Sequence, residues 1–178
     1  MSKLPMISML ATASLLLVAC GGTDAPEETM TVDIMNTSGV KIGTLEIEDD
    51  GADGVELDVQ VMGLEPGISA MHIHETGKCV APDYTSAGGH FNPANVAHGQ
   101  VEDGPHAGDM MNIEIDQDGT GSFEIENEKV SLRGTNGLPA LMDADGSALI
   151  IHAKADDYES QPSGAAGPRI ACAVIPAG

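Results

Sequence analysis

Between Val55 and Val61 the chain sets Val55, Leu57, Val59 and Val61 against Glu56, Asp58 and Gln60. Alternation at period two sends successive side chains to opposite faces of an extended strand, so this stretch reads as a half-buried β-strand. The pattern recurs along the chain. Val32 and Ile34, Val40 and Ile42, and Leu45 and Ile47 stand against Thr31, Asp33, Lys41, Glu46 and Glu48. Ile113 and Ile115 alternate with Glu114 and Asp116, and Phe123 and Ile125 with Glu124 and Glu126. Asp49 to Gly54 and Gln117-Asp118-Gly119 read as turns, and the apolar runs at Ala148–Ala153 and Ile170–Ile175 as more buried strands. No segment sustains a helical period. Short strands that are apolar within and acidic without, joined by Gly/Asp turns, predict an antiparallel sandwich or barrel. The acidic outer faces keep strand edges from pairing with other chains.

Two segments lack the strand pattern, roughly 75–108 and 156–169. Loops that long in a compact domain are usually functional or disordered, and the first holds three of the six histidines, so a functional loop is expected. At 178 residues the chain fits one domain with short appendages. With no Trp, two Tyr and two Phe, the core must come from Val, Ile, Leu, Met and Ala. Twenty-eight acidic residues against seven basic give a net charge of -21. That excludes nucleic acid and an anionic membrane surface as partners, since both need a basic face.

Residues 1–19 carry Lys3 and an apolar run ending Leu15-Leu16-Leu17-Val18-Ala19, followed by Cys20. This reads as a secretory signal, too short for a membrane span. The Leu17-Val18-Ala19-Cys20 end resembles the bacterial lipobox, which implies a lipid anchor on Cys20 as the mature N-terminus. Residues 20–28 then read as a flexible tether and 29–178 as the folded domain. The expected location is the cell envelope, facing the periplasm, with anchoring in the outer rather than the inner membrane. Cys79 and Cys172 remain as an even pair in an oxidising compartment, which favours one disulfide. Because Cys79 lies among histidines, a metal-ligand role is the alternative.

Five of the six histidines fall between Met71 and Asp109. On a strand, His72 and His74 face the same side roughly 6.5 Å apart, while Met71 and Ile73 turn into the core. A lone His-x-His is a weak signal. Here His90, His98 and His106 follow in one loop, and His152 ends the buried run Leu149-Ile150-Ile151-His152. Six imidazoles and Asp109 are too many for one tetrahedral ion and suit two ions that share a ligand. Imidazole favours copper, zinc, iron or nickel, and the harder oxygen of Asp109 suits zinc.

These residues stand in a recognisable order: His72-Ile73-His74, Gly89-His90-Phe91-Asn92-Pro93, His98-Gly99, His106-Ala107-Gly108-Asp109, His152, and Gly167-Pro168-Arg169-Ile170-Ala171-Cys172. From about Thr29 to Ile175 the chain resembles the copper/zinc superoxide dismutases, especially the exported bacterial kind. The resemblance implies an all-β, antiparallel Greek-key sandwich or barrel of immunoglobulin-like type with two long functional loops. It implies one copper ion on His72, His74, His90 and His152 and one zinc ion on His90, His98, His106 and Asp109, with His90 as the bridge. It further implies a Cys79–Cys172 disulfide and Asp156 as a carboxylate linking a copper histidine to a zinc histidine. The interval from His98 to His106 is slightly shorter than the family's commonest pattern, and 133–146 is longer than expected and reads as a surface loop.

The activity implied is disproportionation of superoxide to dioxygen and hydrogen peroxide, with His90 carrying a proton and Arg169 attracting the anion. Both a monomer and a homodimer are compatible with the family. A catalytically silent copper/zinc-binding or copper-carrier lipoprotein on the same fold is the alternative; it would be favoured by loss of Arg169 or a copper ligand, and none is missing. The strong negative charge repels superoxide, so attraction must be local, from Arg169, the copper and Lys154. The loop Tyr158–Pro168 contains no Lys or Arg, which predicts weaker steering than in relatives that place cations there.

Overall fold

The computed structural model describes residues 28–49, 51 and 53–178. The expected signal sequence, Cys20 and the expected tether up to residue 27 lie outside them. The strands are β1 (Glu28–Asn36), β2 (Lys41–Asp49), β3 (Val55–Val61), β4 (Gly67–Ser69), β5 (Met71–His74), β6 (Ile113–Ile115), β7 (Gly121–Asn127), β8 (Ser147–His152) and β9 (Arg169–Ile175). Seven of them form one sheet in the order β5-β8-β9-β1-β2-β3-β7, and β4 pairs with β6. Every strand pair is antiparallel. Because β3 neighbours β7 while β5 neighbours β8, the chain must cross the end of the barrel between them, as a Greek key requires.

The alternating stretches become strands with their apolar residues inward. On β3, Val55, Leu57, Val59 and Val61 are all buried in one core with Leu45, Ile47, Ile34, Ile113 and Ile115. Each such side chain contributes roughly 1.5–3 kcal/mol relative to leaving it in water. Met71 and Ile73 join that core from β5, as expected, and fix the strand that carries His72 and His74. Val40 departs from the expectation. It is 56 % exposed, because it sits in the β1–β2 turn, where Asn36 Oδ1 accepts from the N–H groups of Ser38 and Val40.

Residues 133–146 are also more than a surface loop. Ser131 bridges Ala140, and the N–H groups of Leu141 and Met142 donate to the carbonyls of Ser131 and Leu132. The arch so formed puts Val130, Leu132 and Leu141 into the core. Arg133, at its root, donates twice to the carboxylate of Glu28. The extra length therefore closes one end of the barrel. The short β4 pairs with β6.

Cys79 and Cys172 form the disulfide, with Cα atoms 5.8 Å apart, a spacing that suits such a bond; Cys79 is no metal ligand. It ties the loop after β5 to β9, and Tyr84 of that loop packs beside Cys172 and donates its hydroxyl to Met35 O. A bond closing a loop of 93 residues contributes about 4–5 kcal/mol on the chain-entropy account.

The outer face carries the charge. Register places Glu46, Asp58 and Glu124 directly opposite one another across three strands, and Glu48, Glu56 and Glu126 in a second row. Like charges at directly opposed positions, with Cβ atoms about 5 Å apart, destabilise a sheet. Asp58→Lys should therefore raise unfolding stability by about 1 kcal/mol in low salt. The gain should shrink in 1 M NaCl, where the Debye length is about 3 Å. Urea unfolding at both salt concentrations measures this; no gain at low salt would contradict it.

Candidate metal centre

The site is built on the edge strand β5. Its free edge is covered by the long loop, where Phe91 N–H donates to Ile73 O, Ile73 N–H to Gly108 O, and Gly108 N–H to Phe91 O. These bonds seat His90 opposite His74 and Asp109 opposite His72. On the other edge β8 brings His152, whose N–H donates to Ala70 O. All six histidines are buried. The structure thus brings together every histidine singled out in the sequence, with Asp109, Asp156 and Arg169.

One ring nitrogen from each of His72, His74, His90 and His152 lies within 4.8 Å of the others, close to the roughly 4 Å spread of donors around one ion. The remaining nitrogens are committed elsewhere. His74 Nδ1 donates to Gly88 O at 3.0 Å, and His152 Nδ1 donates to Gly167 O at 3.1 Å. A carbonyl only accepts, so each Nδ1 carries the hydrogen and each Nε2 is a bare lone pair. His72 reverses the tautomer. Its Nε2 donates to Asp156 Oδ2 at 2.7 Å, which leaves Nδ1 bare. His72 Nδ1, His74 Nε2, His90 Nε2 and His152 Nε2 are all buried without a partner. Burial first, and neighbouring His90 next, push His74 down to about 2. Burial first, then His72, push His152 down to about 3. Burial lowers His72 as well, against the opposing pull of Asp156. Near neutral pH these rings present unprotonated lone pairs to one point, a donor set that fits copper.

On the far face of His90 the acceptor is Asp109. Its Oδ1 lies 2.8 Å from His90 Nδ1 and 3.1 Å from His106 Nδ1. Its Oδ2 already accepts the backbone N–H groups of Gly99 and His106. His98 Nδ1 sits 3.0 Å from that same Oδ2, yet outside hydrogen-bond geometry. Since His98 Nε2 donates to Asp156 Oδ1 at 3.0 Å, a ring with its single hydrogen there turns a lone pair toward a carboxylate. That contact is repulsive unless a cation lies between them. Burial pushes Asp109 upward, but the bond from His90 and the N–H of Gly99 outweigh it and hold the carboxyl well below its ordinary range. Three imidazole nitrogens and one carboxylate oxygen, mutually within 4.8 Å, fit zinc. The short interval between His98 and His106 does not separate them; their ring centroids are 5.4 Å apart.

His72, His98 and Asp156 also converge, but the carboxylate here accepts hydrogens rather than facing lone pairs. Oδ2 takes His72, and Oδ1 takes His98 and the N–H of Tyr158. Burial raises the Asp156 carboxyl, and the bonds from His72, Tyr158 and His98 more than offset it, keeping the group ionised. Asp156 is thus a linker between the two donor sets, and its backbone is gripped in turn by the side-chain amide of Asn112.

A cavity of about 530 Å³ opens over the first set, lined by His74, His90, His152 and Arg169 among others. Arg169 donates Nη1 to Tyr84 O and Nη2 to Gly88 O. Gly88 O therefore holds both a histidine of the first set and the arginine. Only glycine suits that position: its φ is +75°, and a Cβ would lie 2.6 Å from Glu75 Oε1. The exposed Lys154 runs its stem along Gly167, the cavity-lining residue that holds His152. Asn112, Gly88, Gly164 and Gln161 support the site without having been singled out in the sequence. Their spacing carries no metal-binding pattern, because the glycines act through a carbonyl or the lack of a side chain, and the two amides bind backbone groups of site residues.

A family description of copper/zinc superoxide dismutase matches residues 41–175. The chain is 47 % identical over 124 residues to the Cu-Zn superoxide dismutase of Caulobacter vibrioides, spanning 68 % of this chain and 71 % of that one. It is 44 % identical over 145 residues to Cu-Zn superoxide dismutase 1 of Aquifex aeolicus, spanning 80 % and 85 %. Among solved structures, a SOD-like protein from Bacillus subtilis superposes with a TM-score of 0.77 at 40 % identity, over 82 % of this chain and 97 % of that chain. With its paired donor sets sharing His90 and its Greek-key barrel, the chain belongs to the copper/zinc superoxide dismutase family.

Proposed function

We propose that His72, His74, His90 and His152 hold copper, that His90, His98, His106 and Asp109 hold zinc, and that Arg169 and His90 serve the substrate. The protein disproportionates superoxide: two anions and two protons give dioxygen and hydrogen peroxide. The observation that carries the reading is the set of buried, unpartnered ring nitrogens aimed at one point from rings whose other nitrogens are anchored. When bound, copper supplies one-electron exchange with the anion, and redox-inert zinc supplies a fixed charge on the far face of His90.

The chain's own residues do the rest. Two carbonyl acceptors hold the guanidinium of Arg169 at the cavity wall, so its charge meets the incoming anion without reorganising. That local attraction works against a body of net charge -21, and Lys154, whose stem lies along Gly167, is a further cation nearby. His90 Nε2 faces the cavity side while Nδ1 stays on the Asp109 face. When free of the metal, Nε2 is therefore the atom that would hold a proton and hand it to the peroxide product. Asp156 keeps His72 and His98 in their tautomers, the role such outer partners play in metal sites.

We further infer that the mature protein is held in the cell envelope through lipid on Cys20 and protects it from superoxide. The Leu17-Val18-Ala19-Cys20 run supports this, as does the Cys79–Cys172 disulfide, which persists in oxidising compartments.

Two outcomes test the assignment. His152→Ala should lower dismutase activity by about 100-fold or more, since even outer partners of a metal cost 10–100-fold, while zinc content stays at one per chain. An assay paired with metal analysis decides it, and full activity would sink the copper assignment. Gly164→Ala probes the linker. Gly164 has φ +64°, and an added Cβ would collide with Asp156 Oδ1 and lie 2.7 Å from His98 Nε2. Parting that pair should weaken zinc binding about 10–100-fold. The stability gap between metal-loaded and chelated protein should then narrow by about 1.4–2.7 kcal/mol. An unchanged gap would show that the Asp156–His98 bond does not support the metal.

A further inference from the structure

The loop that supplies Asp156 reaches His98 a second time. Gln161 Oε1 accepts the backbone N–H of His98 at 2.9 Å, and Gln161 Nε2 donates to His98 O at 2.9 Å and to Glu159 O at 3.0 Å. An exposed glutamine whose amide makes three bonds to the main chain has given up rotamer freedom that a solvated one would keep. What it satisfies is a wholly buried residue, and buried backbone groups left without partners are costly. His98 is thus held at both ends by one loop, through its ring by Asp156 and through its backbone by Gln161.

We propose that Gln161 is a positioning residue for the zinc site, one that fixes the plane of the His98 imidazole and ties the 156–169 loop to zinc retention. This rests on the reading that His98 is a zinc ligand. The physical case is geometric. A ring held only at Nε2 can pivot about that bond, and the pivot swings Nδ1 away from the point it shares with His90, His106 and Asp109. Fixing the backbone on both its donor and its acceptor removes the pivot. Asn112 does the equivalent for Asp156, giving a N–H at 2.9 Å and taking one at 2.8 Å, so both ends of the Asp156–His98 bond are immobilised by a side-chain amide. Gln161 also lines the cavity over the first donor set. Water can therefore replace its bonds when it is cut back, so its loss frees His98 without unfolding the barrel.

The test is zinc transfer from the metal-loaded protein to a chromophoric chelator at neutral pH. Gln161→Ala should release zinc about 10-fold faster or more, with the thermal midpoint of the metal-stripped protein unchanged. Gln100→Ala is the control, because that side chain contacts only Met111 Sδ among the bonds described; its release should match the parent protein. If Gln161→Ala does not accumulate folded, Gln161→Glu replaces it. That variant keeps an acceptor for His98 N–H but sets a carboxylate oxygen against His98 O, and it too should lose zinc faster. Release at the parent rate from either folded variant would overturn the inference. A parent protein that takes up no zinc would instead overturn the assignment beneath it, and metal analysis before the transfer separates the two results.

Discussion

Six buried imidazoles can share one small volume only if each has a partner for its hydrogen and a use for its lone pair. The protein meets the first condition with oxygens for four of them: Gly88 O for His74, Gly167 O for His152, and the two oxygens of Asp156 for His72 and His98. The second is left to metal ions. Neutral rings with bare nitrogens facing one another, or facing a carboxylate as His98 does, would oppose folding if nothing balanced them. Two features of the site follow from this constraint. The anchored nitrogens set the tautomers, and the tautomers set which nitrogen each ion meets.

The barrel supplies rigidity where the loops cannot. Met71 and Ile73 lock β5 from inside while His72 and His74 face the site. The disulfide fixes the loop that ends at Gly88, and the Gly88 carbonyl then serves both His74 and Arg169. A distortion of that loop would disturb the copper side and the substrate cation together. The outer face works against compactness, since two rows of carboxylates stand in register across β2, β3 and β7. It also repels the anionic substrate, which leaves attraction to Arg169 and Lys154 near the cavity.

Much of this was legible in the residues. Period two marked β3 and the half-buried strands beside it, the six histidines with Asp109 suited two ions, and Asp156 and Arg169 followed from the family resemblance. What was not legible has physical causes. Val40 matched the alternation but belongs to a turn capped by Asn36, and pattern alone does not register a cap. Residues 133–146 lack any period, yet their cross-bonded arch carries Leu141 into the core; only the far end of the barrel shows why. Gly88 and Gly164 act through a carbonyl or by having no side chain to clash, and Asn112 and Gln161 act through side-chain amides that bind main-chain groups. Nothing in their spacing distinguishes them from ordinary loop residues.

The central claim is that His90 is shared, with Nε2 serving one ion and Nδ1 the other. The most direct test is electron paramagnetic resonance of protein loaded with copper(II) in the first donor set and cobalt(II) in place of zinc. A single imidazole ring joining the two ions couples their unpaired electrons, so the copper signal should largely vanish. It should return when redox-inert zinc replaces cobalt. A full-strength copper signal from protein carrying one cobalt ion and one copper ion per chain would show that His90 does not join the two sites.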